Sequence, residues 1–271
     1  MTAGLGKYGP WALIAGASDG VGAAFAEALA AGGLNVVLVA RRQRLLDEVA
    51  AGIAERHRVQ TLALAVDLVE PEAARTLLQA VEGLAVGFLV YCAGADPDFK
   101  PFLDNTITAA EAMVQRNCVV PVQLCHALAQ PMVQRGAGAI VIVGSGAGLV
   151  GGPNMVAYGA SKAFDMVFAE ALWSELQHTG VDVIGLILGK TDTPALRRLE
   201  YERGQITSTD QVPAGAEPAE QAVAAALDNL TNGPTVYAGD QITGAAQLLA
   251  SLGRNEAAAF MAQAINAAMG K

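Results

Sequence analysis

An α/β fold built on a doubly wound parallel sheet is the architecture predicted by this sequence, and three observations predict it. Short apolar runs alternate with longer stretches of helical period along the 271 residues. Most of those runs are nearly continuous in Val, Leu and Ile, as strands covered on both faces require. The first run leads straight into a glycine-rich turn that opens a helix. Composition agrees: 53% hydrophobic and 16% charged residues supply a large core and exclude disorder.

The predicted strands are Trp11–Ala15, Val36–Ala40, Thr61–Val66, Val86–Tyr91, Ile140–Val143, Val181–Leu188 and Thr235–Ala238. Between them the helical period predicts Val21–Ala31, Arg44–Glu55, Glu72–Val81, Thr108–Ala129, Met155–Gln177 and Ala219–Leu230. This alternation means βαβ units with right-handed crossovers. Pro121 lies inside the fourth helix and is expected to kink it. No repeat, low-complexity tract or composition break marks a linker, so residues 1–271 are expected to form one domain. Residues 195–217 are polar and lack a strong period. They follow the end of a strand, where ligands bind in open α/β sheets, and read as a substrate lid or as an ordinary surface loop. The tail after Arg254 is an Ala- and Met-rich helix candidate for covering an edge or joining a subunit contact.

Seventeen basic against 26 acidic residues give a net charge of −9, which argues against nucleic acid or an anionic membrane as partner. Cys92, Cys118 and Cys125 form neither a disulfide framework nor a zinc motif, so a reducing cytoplasm is expected and no metal is implied. The first residues lack the marks of a signal peptide. Residues 136–161 carry no charge, but eight Gly interrupt them. They read as a buried strand, a turn and a helix start, with no membrane insertion.

The turn after the first strand is Gly16-Ala-Ser18-Asp19-Gly20-Val21-Gly22. Glycines there let backbone amides approach a pyrophosphate at the positive end of the first helix. The same spacing also suits a plain strand–helix junction. An NAD site places an acid at the end of the second strand, but here Arg41 and Arg42 follow Ala40. A guanidinium binds a 2′-phosphate through charge-assisted bonds, and Ser18 adds a donor, so NADP(H) is preferred, with NAD(H) possible. Asp19 is an unfavourable neighbour if it points inward. The alternative is a solvated Arg pair opening a helix.

Tyr158 and Lys162 stand at i and i+4 on one helix face. Lowering a Tyr pKa by about three units takes roughly 4 kcal/mol. A Lys ammonium about 5 Å away supplies around 3 kcal/mol at an effective dielectric of 20, and an oxidised nicotinamide would add more. Ser145, after the fifth strand, is placed to hold a substrate oxygen, and Asn117, in the fourth helix, to hold a proton-relay water. Tyr-x-x-x-Lys alone also suits a surface pair.

With Asp67 and Ala93-Gly94 added, these residues resemble the short-chain dehydrogenase/reductase family in order and spacing, from about residue 8 to residue 240. The resemblance implies a Rossmann-like doubly wound parallel seven-stranded sheet with helices on both faces. It implies Tyr158 as general acid–base, Lys162 on the nicotinamide ribose, Ser145 on the substrate oxygen, Asn117 at the relay water and Asp67 at the adenine. Gly189, Thr191 and Thr193, after the sixth strand, are the remaining cofactor positions, with Thr193 near the carboxamide and phosphates. The cofactor region is similar to the hydroxysteroid and 3-ketoacyl-CoA reductase branch. Two motifs depart from the family pattern: Asn-Asn-Ala-Gly reads Tyr91-Cys92-Ala93-Gly94, and Pro-Gly reads Leu188-Gly189. Lys190 then reads as a phosphate or acidic-substrate contact, or as a solvated Lys.

The expected activity is interconversion of a carbonyl and a secondary alcohol by hydride transfer. The expected substrate is a largely apolar small molecule of steroid, acyl or cyclic ketone type, beside a wall containing Leu149, Val150, Met155 and Leu196. The alternative is an NADP(H)-sensing binding protein without turnover, although such proteins usually lose the Tyr or Lys. Small and apolar residues on the fourth and fifth helices predict a homodimer or homotetramer, as in this family.

Overall fold

The computed structural model describes residues 4–95 and 98–268. Its seven main strands are β1 (Trp11–Ala15), β2 (Asn35–Ala40), β3 (Thr61–Ala65), β4 (Val86–Tyr91), β5 (Gly138–Ser145), β6 (Val181–Leu188) and, late in the chain, β9 (Thr235–Ala238). All pair in parallel, in the order β3-β2-β1-β4-β5-β6-β9. The order reverses at β1, so β1 lies between β2 and β4, with Leu13 opposite both Val37 and Leu89. A ligand crevice therefore opens beyond the carboxyl ends of β1 and β4.

Side chains along β1 alternate between two cores. Ala12 and Ile14 pack under α1 (Gly20–Ala31), α2 (Gln43–His57) and α8 (Ala219–Asp228), around Phe25, Leu46, Ile53 and Val223. Leu13 and Ala15 face α3 (Ala73–Ala80), α5 (Val120–Arg135) and α6 (Val156–Leu176), around Leu77, Leu124, Leu128 and Ala169. Burial on both faces is why these strands read as unbroken apolar runs.

Four elements differ from expectation. The predicted helix Thr108–Ala129 is α4 (Ile107–Val114), a π turn (Gln115–Val119) and α5. The irregularity thus precedes Pro121, which occupies the first turn of α5, and the interior proline is Pro131. β5 runs through Ser145 and does not stop before it. The polar 195–217 region contains most of a helix, α7 (Pro194–Glu202), whose base is clasped by two short paired strands, β7 (Thr191–Asp192) and β8 (Glu217–Pro218). The chain ends in α9 (Asp240–Ser251), which the sequence reading missed, and α10 (Arg254–Ala268). Gly152 would meet Ile265 and Met261 of α10 if it carried a side chain, and Arg254 donates to the Leu149 carbonyl at 2.9 Å. The candidate wall residues Leu149 and Val150 are accordingly packed with Leu249, Leu252 and Met261, and Val150 is buried. Among the described residues no helix is long and apolar enough to cross a membrane.

On the surface, Glu27 of α1 joins the end of α2. It accepts from Arg56 Nε at 2.9 Å and Nη2 at 2.6 Å, and its Oε1 lies 2.7 Å from His57 Nε2. The Arg56 hydrogen bonds, with help from His57, lower its pKa from 4.5 to about 2. A carboxylate with a depressed folded pKa adds stability above its unfolded value and loses it as pH falls through the folded one. Because the site is solvent-screened, Glu27→Gln should cost less than about 1 kcal/mol at pH 7. The difference from wild type should shrink between pH 4.5 and about 2 in urea titrations at stepped pH.

Candidate active site

The turn after β1 holds the glycines that the sequence reading assigned to a phosphate. Gly16 and Ala17 amides both donate to the Val39 carbonyl, which fastens the turn to the end of β2. A Cβ on Gly22 would stand 2.1 Å from the Gly16 carbonyl oxygen, so only glycine allows the turn to close this tightly. Asp19 stands at the N-cap of α1 without a side-chain cap bond, and the first turn holds no acid. Its carboxylate is turned to Arg42, whose Nη2 bonds Asp19 Oδ2 at 2.6 Å and Ser18 Oγ at 3.0 Å. The Arg198 guanidinium of α7 also stands 3.6 Å from Asp19. The Asp19 charge is thus matched by two guanidinium groups, and the start of α1, with Val21 buried beneath it, keeps its positive end for an anion. Arg41 is exposed and forms no ion pair among the described residues. These residues fit a phosphorylated dinucleotide.

The sequence reading missed Arg116, whose guanidinium lies within electrostatic reach of Arg41, Asp67 and Tyr158. Burial pulls its pKa down. Asp67, just beyond β3, accepts from the Val69 amide at 3.2 Å, so its local turn is self-supported. Arg116 Nη2 donates to the Ala95 carbonyl at 2.9 Å and Nε to Asn117 Oδ1 at 3.1 Å. The Tyr91 phenol donates to the Arg116 carbonyl. Tyr91 and Arg116 thereby tie β4, the Ala93-Gly94 turn and the π turn together where the family's two asparagines are absent. A clue was present in the sequence: an Arg directly before Asn117.

Asn117 is fully buried. Its Nδ2 donates to Ser161 Oγ at 2.8 Å, and Ser161 Oγ donates to the Tyr158 carbonyl at 2.8 Å. A Cβ on Gly94 (φ +132°) would stand 2.5 Å from Asn117 Oδ1, so this glycine lets the turn after β4 rest on the Asn117 amide. Asn117 therefore sits in the π turn, not in a regular helix as expected. Pro121, four residues on, has no N–H to offer the Asn117 carbonyl.

Tyr158 is half-buried on the first turn of α6, and Lys162 follows one turn later, buried. Lys162 Nζ donates to the Val143 carbonyl of β5 at 2.9 Å, two residues before Ser145. The same Nζ is 2.9 Å from Asp165 Oδ2. Burial pulls the ammonium pKa down, but the Asp165 and Tyr158 charges outweigh it, so Lys162 is held protonated. The sequence-based electrostatic sum treated Lys162 as an unpaired charge; an acid at i+3 was the overlooked signal. Ser145 Oγ accepts from the Ala147 amide at 3.2 Å.

Gly189 rests against Ile242 of α9, and Thr191 donates to the Gly189 carbonyl at 3.3 Å. Thr193 caps α7 by accepting from the Leu196 amide at 3.1 Å, and its methyl lies over Gly20. Lys190 is exposed but partnered: its Nζ is 2.6 Å from Glu200 Oε1 and donates to the Ala214 carbonyl at 2.9 Å.

Removing the Tyr91 hydroxyl leaves the Arg116 carbonyl without its partner. Tyr91→Phe should therefore lower stability by about 1–3 kcal/mol, read as a reduced urea midpoint with an unchanged slope.

Comparison with known proteins identifies the family. The short chain dehydrogenase family profile matches residues 10–204. The 7beta-hydroxysteroid dehydrogenase of Collinsella aerofaciens is 40% identical over 190 residues, covering 70% of this chain and 72% of that protein. The very-long-chain 3-oxoacyl-CoA reductase of Homo sapiens is 33% identical over 188 residues, 67% of this chain and 59% of that protein. A structure solved in work on 7beta-hydroxysteroid dehydrogenase stereoselectivity superposes with a TM-score of 0.86 at 35% identity, covering 94% of this chain and 97% of the other. A short-chain dehydrogenase from Sphingobium yanoikuyae, in complex with NADPH, gives 0.75 at 31% identity over 89% and 95% of the two chains. With the profile spanning the glycine turn, Asn117, Ser145, Tyr158 and Lys162, the chain belongs to the short-chain dehydrogenase/reductase family of oxidoreductases.

Proposed function

We propose that the protein interconverts a carbonyl and a secondary alcohol on a largely apolar substrate, with NADP(H) as its preferred cofactor. The observation that carries this reading is the fixed Lys162 ammonium, one turn from Tyr158 and bonded to β5 two residues before Ser145. When bound, the nicotinamide supplies or accepts the hydride. Tyr158 gives the proton to the carbonyl oxygen in reduction and takes it in oxidation. Ser145 holds that oxygen, and Lys162 favours the phenolate and reaches the ribose. Asn117 holds the relay water through its backbone carbonyl, since its side-chain amide is already bonded to Ser161. Gly16, Gly20 and Gly22 cradle the pyrophosphate; Asp67, Ala93, Gly94, Gly189, Thr191 and Thr193 line the rest of the cofactor groove.

Arg41 supports the NADP(H) preference, because it is exposed at the end of β2 and Arg42 already serves Asp19. The NADPH in the Sphingobium yanoikuyae structure supports it too. The steroid and acyl-CoA names of the relatives support an apolar ketone of steroid, acyl or cyclic type. Segment 195–217 acts as the lid over that substrate, and Met261 and Ile265 of α10 close the 149–155 side. Ile107, Val114, Val119, Val156 and Val167, exposed on α4, the π turn and α6, support a homodimer or homotetramer through that face.

The test is cofactor oxidation by NADPH and NADH with a panel of steroid, cyclic, aromatic and acyl ketones. Tyr158→Phe should abolish turnover while sparing NADPH binding. Arg41→Ala should raise the NADPH KM about ten-fold or more, as expected for losing a charge-assisted bond, and leave the NADH KM unchanged. Turnover that survives in the Tyr158 variant would refute the acid–base assignment. Sedimentation at micromolar concentration should give a dimer or tetramer; a monomer counts against the proposed interface.

A further inference from the structure

Asp165 has no part in the roles assigned so far, yet it is the nearest charged group to Lys162. Both side chains are buried, with Nζ and Oδ2 2.9 Å apart. Among the described residues Asp165 Oδ1 has no hydrogen-bond partner. Apolar residues of similar volume commonly replace such buried pairs without loss of stability, so stability alone does not account for a half-satisfied carboxylate here. Along α6, Tyr158, Lys162 and Asp165 follow at spacings of four and three residues on one face, and the charges of Asp165 and Tyr158 both act on the Lys162 ammonium. Val143 and Asp165 take two of the three ammonium donors, and the third remains for the Tyr158 side.

The geometry points to Asp165 as a positioning residue that orients the Lys162 ammonium and offsets its charge, setting the pH at which the Tyr158–Lys162 pair gives up its first proton. This rests on the redox reading above. The other titratable groups around the pair come from three elements. Tyr91 and Cys92 approach from β4 and the turn after it, Arg116 and Cys118 from the π turn, and Cys125 from α5. Burial pushes the Cys92 thiol up to about 12 and the Cys118 thiol up to about 11, and it raises Tyr91 and Cys125 as well. All four are neutral near pH 7, and Arg116 is a cation throughout. Burial raises Asp165 as well, while the Lys162 ammonium at 2.9 Å opposes that rise and favours the carboxylate, which is the one acidic group of low ordinary pKa acting on the pair among these groups.

Removing a negative charge makes a neighbouring proton easier to lose. At an effective dielectric of 20 and about 10 Å, two turns of helix, that charge is worth about one pH unit at Tyr158. Asp165→Asn should therefore move two midpoints down by about one pH unit. One is the pH at which NADP+ affinity rises, since a pair that has lost a proton attracts the cationic nicotinamide; this needs no substrate. The other is the acid limb of kcat/KM for alcohol oxidation. Asp165→Glu keeps the charge and should keep the wild-type midpoint. Should the Asn variant fail to fold, Asp165→Ser, with room for a water, carries the same expectation. A midpoint that stays put or rises in a folded neutral variant, or that falls equally in Asp165→Glu, overturns the proposal. NADP+ binding without turnover on any ketone counts against the redox reading while the binding midpoint still decides the role of Asp165. A wild-type protein that binds no NADP+ at any pH overturns both.

Discussion

A primary ammonium deprived of water needs partners, and the way Lys162 finds them organises the whole catalytic end of the sheet. Its bond to the Val143 carbonyl joins α6 to β5 at the level of Ser145, and its ion pair with Asp165 holds the side chain inward. Once α6 is locked to β5, Tyr158 is held at the mouth of the crevice and Ser161 is presented to Asn117. The bond from Ser161 to the Tyr158 carbonyl returns the constraint to the first turn of α6. Two sets of buried bonds, Lys162 with Val143 and Asp165, and Asn117 with Ser161, in this way converge on α6, where buried polar groups with partners reinforce one another.

The cofactor half of the crevice is arranged by charge matching. Asp19 would repel a phosphate, and Arg42 and Arg198 neutralise it from two directions. In the 190–217 segment two ion pairs are local: Lys190 binds Glu200, and Arg197 meets both oxygens of Asp192 at 2.6 Å. Arg41 and Arg116 retain positive charge facing the ends of β2 and β3. Their field is local, so a net charge of −9 does not forbid an anion there.

Much of this was legible in the residues. Strands buried on both faces show as apolar runs, the glycine turn is a local backbone requirement, and Tyr158-x-x-x-Lys162 is helical spacing. What escaped depends on tertiary contact. The π turn is set by the Tyr91 phenol, the Ser161 bond and Pro121, none of which alters the apolar period of residues 107–135. α7 was hidden because ion pairs, which leave no apolar period in the sequence, hold it. Asp165 lies within a long predicted helix whose sequence does not mark it out, and only its burial shows that it faces inward. Val150 looked like a ligand wall because nothing in its neighbourhood announces that α9 and α10 fold back over it.

The two-residue ladder of Thr191 with Glu217 and Asp192 with Pro218 brings the ends of the intervening stretch together just outside the main sheet. Its pairing therefore does not depend on how many residues lie between. Closing a flexible loop becomes costlier only logarithmically, by about 0.6 kcal/mol for each doubling of length. Insertions and deletions between these clasped ends are accordingly among the cheapest changes the fold admits.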